Sequence, residues 1–216
     1  MTAVGVAPAD PRPSRAQLVA ELIEVGRDAV ARGLVLASGG NLSARLSDDT
    51  FVVTASGTWF DRLTEESFVD MSVTGEVLAG SGRPSSEWRL HQRAYLARPD
   101  AECVIHLHPQ HAVVLASLGH PIRLLTLDHA LYVGSIGVTP FYPNGSDELA
   151  ESAAEQQRQH DCVVMQHHGC SVVGDAVATA YRRALNLEDA ARATVLALQL
   201  GDTETAFPAG ADLRHA

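Results

Sequence analysis

Apolar and polar positions along the chain switch between two periods. Across 15–32 they recur at helical spacing, with Leu18, Leu22, Ile23 and Val25 on one face, Ser14 placed to cap the segment and Gly33 to end it. Period two takes over at 41–47 and 51–54, and the Asp48-Asp49 pair between them predicts a hairpin. A second hairpin is predicted from 69–73 and 76–78 around Thr74-Gly75. Helical spacing returns at 85–97 and stops before Pro99. The run 103–108 reads as a buried strand, and Pro109 opens a helix to Leu118 at the favoured first-turn position. Strands are predicted near 137–141 and 162–165, with a helix at 147–159 between them and a strand-like piece at 171–173. The longest helix spans 175–200, capped by Asp175 and stopped by Gly201.

Strands alternate with helices, yet hairpins are present. That favours an α/β architecture with a mixed or antiparallel sheet flanked by helices over a doubly wound parallel sheet. No internal repeat or long linker divides the chain, so 14–216 is expected to form one domain. Residues 1–13, with Pro8, Pro11 and Pro13, read as a loose, disordered tail.

Composition narrows the function. The 216 residues are 46% apolar and 19% charged, a globular balance, and the net charge is −10. That sign disfavours tracking along nucleic acid or a polybasic membrane anchor, and leaves room for a small anion held by local donors. No apolar run is long enough to span a bilayer, and the first residues lack the pattern of a secretory leader. Three cysteines, Cys103, Cys162 and Cys170, form no CxxC spacing and fit a reducing cytoplasm.

Ten histidines are the unusual count, and four of them sit in two pairs. In V-I-H-L-H-P, His106 and His108 lie two apart on a predicted strand and therefore share a face. In V-V-M-Q-H-H-G, the adjacent His167 and His168 point to opposite faces, so one at most joins the first pair. Three neutral imidazoles with an open position make a Lewis-acid zinc site. Packing at strand ends is the bland alternative for either pair alone. P-S-S-E-W at 84–88 puts Ser85, Ser86 and Glu87 at a helix start, where backbone N–H groups favour anions, and a simple cap is its bland alternative. The glycine-bearing pieces A-S-G-G-N-L-S (37–43) and T-A-S-G-T (54–58) can present N–H groups to a phosphate or serve only as turns. Neither matches a dinucleotide or nucleoside-triphosphate loop.

In order and spacing, G-G-N-L-S, T-A-S-G, P-S-S-E-W, H-L-H and Q-H-H-G resemble the class II aldolase/adducin family, nearest its L-fuculose-1-phosphate aldolase branch, over about residues 14 to 201. The resemblance implies a three-layer αβα fold with a central, mostly antiparallel sheet, and a homotetramer with active sites at subunit interfaces. It implies His106, His108 and His168 as metal ligands, with zinc the usual ion and manganese or another divalent ion possible. Glu87 is then the catalytic carboxylate, able to serve as a fourth ligand before substrate enters. Gly40, Asn41, Ser56, Gly57, Ser85 and Ser86 become the phosphate pocket. The implied reaction cleaves a ketose 1-phosphate such as L-fuculose 1-phosphate to dihydroxyacetone phosphate and an aldehyde through a metal-stabilised enediolate, in the cytoplasm.

The match departs at the aldehyde end. The family's first tyrosine falls near Leu125, and the C-terminal segment has Phe207 and His215 but no tyrosine. Asp128, His129 and Tyr132 are the candidate substitutes. The H-A-D-Y of the L-ribulose-5-phosphate 4-epimerase branch reads His129-Ala130-Leu131-Tyr132 here, and leucine moves no proton. Decarboxylases of 3-oxo-sugar-acid phosphates and methylthioribulose-1-phosphate dehydratase are the other sister enzymes. An adducin-like scaffold without metal is the non-enzymatic alternative, and the three histidines with Glu87 argue against it.

Overall fold

A computed structural model describes residues 12–211. Eight strands form one sheet: β1 (Asn41–Ser47), β2 (Thr50–Thr54), β3 (Phe68–Ser72), β4 (Val77–Ala79), β5 (Cys103–Leu107), β6 (Ile136–Thr139), β7 (Cys162–Met165) and β8 (Gly169–Gly174). Their order is β4-β3-β2-β1-β5-β8-β7-β6. Every neighbouring pair is antiparallel except β6 and β7. Five α-helices flank it: α1 (Arg15–Ala31), α2 (Trp88–Ala97), α3 (Gln110–Ser117), α4 (Asp147–Gln157) and α5 (Val177–Gln199). The mostly antiparallel sheet between helix layers is the expected αβα class.

Alternation along the strands builds the layers. Leu42 and Ala44 of β1, Cys103, Ile105 and Leu107 of β5, and Cys170 and Val172 of β8 face α1, α3 and α5 in one apolar cluster. Each large side chain buried there contributes about 1.5–3 kcal/mol. On the opposite face, Val104 and Val173 pack with Ala94 and Tyr95 of α2. Leu90 of α2, Leu149 and Ala153 of α4, and Met165 make a smaller cluster beside them.

Ser14 caps α1 in a reciprocal box with Gln17, as its position predicts. Of the segment read as a loose tail, residues 1–11 lie outside the described residues, as does His215; Arg12 is paired with Asp48 at 2.6 Å and Glu102 at 3.3 Å.

Three helix starts differ from the sequence expectation. Helix α2 begins at Trp88 rather than at residue 85, because Pro84 bridges to Ala55 and the Ser85 N–H donates to the Thr54 carbonyl at 3.0 Å. Those ties hold 84 and 85 out of the helix, and Ser86 and Glu87 form the turn that leads into it. Helix α5 begins at Val177 with Ala176 at the cap position, and Asp175 is left exposed with no capping bond. Pro109 sits at the cap of α3 rather than in its first turn. There the buried carboxylate of Glu188 accepts the N–H groups of His111 (3.2 Å) and Ala112 (3.1 Å), a cap delivered from α5 that no local sequence signal announces.

Candidate metal centre

The centre forms where β5 and β8 run out of the sheet on the α2 side. His106 and His108 emerge on one face because they are two residues apart in an extended chain. His168 arrives from the turn between β7 and β8. Its neighbour His167 takes a left-handed backbone (φ 60°), donates its N–H to Ser117 Oγ at 2.7 Å and stays exposed. One nitrogen from each of His106, His108 and His168 lies within 4.8 Å of the other two. The ring centroids are 4.9, 5.0 and 5.4 Å apart.

Two glycines make room for this convergence. A Cβ on Gly169 would stand 2.5 Å from the Leu107 carbonyl and 2.9 Å from His106 Cε1. Gly40 has φ +91°, and a Cβ there would meet the His106 carbonyl at 2.6 Å.

Glu87 closes the fourth side. It occupies the cap position of α2, yet its side chain turns away from the helix. Oε2 lies 3.2 Å from His106 Nε2 and Oε1 lies 3.2 Å from His168 Nε2. Its backbone N–H donates to Ser85 Oγ at 3.2 Å. Burial opposes ionisation of Glu87, but the charge and N–H groups of His106 and His168, when those rings are protonated, outweigh it and hold the carboxyl well below the usual range. Burial, reinforced by His106 and His168, pushes His108 down to about 3, so its imidazole is neutral at pH 7.

The donor set fits a divalent cation. His106 Nδ1–H donates to the Cys170 carbonyl at 2.8 Å, which leaves the Nε2 lone pair facing inward. His108 Nε2 lies 3.0 Å from that atom. Two neutral lone pairs at this distance repel unless a cation or proton lies between them. Among the described residues no hydrogen-bond donor meets the buried Glu87 Oε1. Three imidazoles and a carboxylate suit zinc and several other divalent ions.

The remaining expected site residues divide into two groups. Ser56, Gly57, Ser85 and Ser86 are brought together, because Ser56 N–H donates to the Arg83 carbonyl at 2.8 Å beside the bond from Ser85 to Thr54. Ser56, Gly57 and Ser86 are exposed, and the N–H groups of Gly57 and Ser86 make no hydrogen bond among the described residues. Ser85 is buried with its hydroxyl on Glu87 N. Asn41 is buried too, and its Nδ2 donates to Glu87 Oε2 at 3.0 Å while its Oδ1 contacts His91 Nε2. His91, Ser43 and Tyr95 were missed from sequence. Glu87, His91 and Tyr95 are spaced four apart and so share one face of α2, which is the signal that could have found them.

Of the three candidates for the aldehyde end, one has both its polar atoms engaged within the chain. His129 is fully buried in a short π-turn (His129–Val133); its Nδ1 accepts from the N–H groups of Leu125 (3.2 Å) and Thr126 (3.3 Å), and its Nε2 donates to Asp189 at 2.9 Å. Tyr132 lies under the Arg182 guanidinium at 5.1 Å. Asp128 is exposed.

The chain is similar to known proteins in sequence and in fold. The chain is 32% identical to an L-fuculose phosphate aldolase of Methanocaldococcus jannaschii over 82% of its own length and 96% of the relative's. It is 28% identical to a 3-oxo-tetronate 4-phosphate decarboxylase of Haemophilus influenzae, over 79% and 83% respectively. A solved L-fuculose 1-phosphate aldolase superposes with a TM-score of 0.84 at 29% identity, covering 91% of this chain and 92% of the other. Residues 20–195 match the family described as Class II Aldolase and Adducin N-terminal domain. With that match spanning most of its length, the chain belongs to the class II aldolase/adducin family.

Proposed function

We propose that this protein is a metal-dependent lyase of phosphorylated sugars, cleaving a ketose 1-phosphate such as L-fuculose 1-phosphate to dihydroxyacetone phosphate and an aldehyde. The observation that carries this is the convergence of three imidazoles and a buried, undonated carboxylate oxygen beside an exposed cluster of hydroxyl and N–H donors. His106, His108 and His168 would hold the ion, zinc first and manganese or another divalent ion as alternatives. When bound, it supplies Lewis acidity, stabilising negative charge at a carbonyl oxygen next to the breaking bond.

The protein's own groups do the rest. Ser56, Gly57 and Ser86 offer donors to the phosphate without a formal charge, so the net charge of −10 does not oppose binding. Gly40, Asn41 and Ser85 set the walls of that pocket. The C4 hydroxyl loses its proton as the bond breaks; Glu87, ionised at rest, takes up a proton in exchange and passes it to the carbon from which the bond has broken, ending as the carboxylate again. The α2 layer keeps this carboxylate nearly dry, which strengthens its interactions.

A second reading has its own support. Decarboxylation of a 3-oxo-sugar-acid phosphate releases CO2 and needs no group to take a proton from a C4 hydroxyl as an aldehyde departs. The expected tyrosine position holds Leu125, and both His129 nitrogens are engaged within the chain. The H. influenzae relative points the same way.

We further infer that residues 14–216 act as one domain in a cytoplasmic homotetramer whose interfaces complete the active sites. Exposed Val114 and Leu118 on and after α3, with Leu127 and Leu131 at the π-turn, give such contacts apolar surface. No helix among the described residues is long and apolar enough to cross a membrane.

A panel of ketose 1-phosphates and 3-oxo acid phosphates separates the two readings. Reduction of released dihydroxyacetone phosphate by a coupled reductase is expected for aldol cleavage. Bicarbonate release without it would move the assignment to decarboxylation. Glu87→Gln is expected to lower kcat by about 100- to 10,000-fold, the usual worth of a proton-transfer group. Retained activity would overturn the role of Glu87.

A further inference from the structure

A continuous string of buried polar groups runs from Glu87 into the body of the protein. Asn41 Nδ2 lies 3.0 Å from Glu87 Oε2, Asn41 Oδ1 contacts His91 Nε2, Ser43 Oγ lies 2.6 Å from His91 Nδ1, and Ser43 Oγ lies 2.7 Å from the Tyr95 hydroxyl. Asn41, Ser43, His91 and Tyr95 are each at most 2% exposed.

The chemistry of each group fixes the direction of every bond. A carboxylate only accepts, so the Asn41 atom facing it is the NH2, and the Asn41 carbonyl faces His91. That carbonyl needs a donor, so His91 carries its proton on Nε2. Nδ1 is then a lone pair, and Ser43 must donate its O–H to it. The Ser43 oxygen in turn accepts the Tyr95 O–H. All four bonds point toward Glu87.

We propose that His91 is a positioning residue for the proton-transfer step: locked as its Nε2–H tautomer by Ser43 and Tyr95, it fixes the Asn41 amide so that Asn41 holds Glu87 Oε2 and leaves Oε1 as the oxygen that exchanges the proton. This rests on the assignment of Glu87 as the proton-transfer group. The string holds and does not conduct, because an amide would have to gain a proton on oxygen and lose one from nitrogen to pass it on. A misplaced carboxylate costs rate although every substrate and cation contact survives, since general acid–base work depends on reach to the reacting atom.

Two experiments test this. The first is a long-range 1H–15N spectrum of the metal-free, 15N-labelled protein, and it does not depend on turnover. His91 is expected as the Nε2–H tautomer with Nδ1 unprotonated at neutral pH; an Nδ1–H tautomer overturns the proposal. The second compares His91→Phe with His91→Gln, which keeps a donor at the position of Nε2. His91→Phe is expected to lower kcat by about 10- to 100-fold, the usual effect of removing an outer-shell partner. KM is expected to stay within about threefold and the bound metal per chain to be unchanged. His91→Gln is expected to recover most of kcat. Equal loss in both variants, or no loss in His91→Phe, overturns the proposal. If His91→Phe does not fold, Tyr95→Phe, which removes the outermost donor, is expected to give a smaller kcat loss with the His91 tautomer retained; an Nδ1–H tautomer in it also overturns the proposal. Wild-type inactivity on every sugar phosphate of the panel would instead count against the proposed function, and the tautomer measurement would still decide the inference.

Discussion

Strands β1 and β5 carry opposite chemistry on their two faces. Toward α1, α3 and α5 they present Leu42, Ala44, Cys103, Ile105 and Leu107, all buried and apolar. Toward α2, around the single apolar Val104, they present Asn41, Ser43, Arg45 and His106, buried and polar. The first face tolerates imprecision, because dispersion and burial have no preferred direction. The second tolerates little, because each buried polar atom needs a partner at the right place. The two faces share one register, and a slip of one residue would exchange them. The apolar face therefore sets the registration that the polar face requires. Arg45 shows the same discipline with no counter-ion among the described residues: its guanidinium donates to the carbonyls of Ala101 (2.9 Å), Tyr95 (3.1 Å) and Asp48 (3.0 Å).

Breaking the polar face at its tip has the largest expected consequence. His106→Ala or His168→Ala is expected to abolish stoichiometric metal binding by elemental analysis. Turnover is expected to fall at least about 1000-fold, equivalent to ~4 kcal/mol of barrier. Breaking the apolar face behaves differently. Ile105→Ala is expected to cost about 2–5 kcal/mol of stability in urea unfolding, with metal content per folded chain unchanged. If that variant loses metal while staying folded, the faces are not separable.

How much of this contrast is visible in sequence follows from its range. H-L-H announces one face because period two is local, and the apolar alternation of β5 announces the other. The preference for His168 over His167 came from family resemblance; only the left-handed turn at His167 and the approach at Gly169 explain it physically. The place of Glu87 was expected, but its turning away from α2 was not. Helix α2 starts late because Ser85 bonds to Thr54, a tie between segments thirty residues apart that no local pattern encodes. The Ser43–His91 contact likewise depends on where α2 settles on β1, some fifty residues away in sequence. The family resemblance assigns Asn41 to the phosphate pocket; that its amide also bonds Glu87 and contacts His91 is visible only in the fold.

Smaller perturbations sharpen the comparison. Chelation of the metal from the whole protein is expected to lower Tm, since a ligand present at about 100 times its Kd stabilises the native state by ~2.7 kcal/mol; calorimetry with and without chelator checks it. Ser43→Ala is expected to cost about 1–3 kcal/mol, because it leaves His91 Nδ1 and the Tyr95 hydroxyl buried without their partner. The smallest effect is a pH slope. Burial pushes His91 down to about 3, whereas an unfolded histidine takes up a proton near 6.5. Between those values the unfolded chain binds more protons, so this group's contribution to stability falls as pH drops through the window. Urea midpoints of the metal-free protein measured from pH 7 to 4 are expected to fall less steeply in His91→Gln than in the wild type.

The three cysteines on β5, β7 and β8 turn the apolar face into a built-in reporter. Cys103, Cys162 and Cys170 are buried and unpaired, and desolvation raises all three thiols, Cys170 to about 12. An alkylating reagent attacks the thiolate and needs a path to sulfur. In the native protein both are withheld, so labelling waits until the central strands part from α3 and α5. The rate of covalent labelling by a small maleimide, followed by mass spectrometry, then clocks opening of the sheet itself, with no engineered probe.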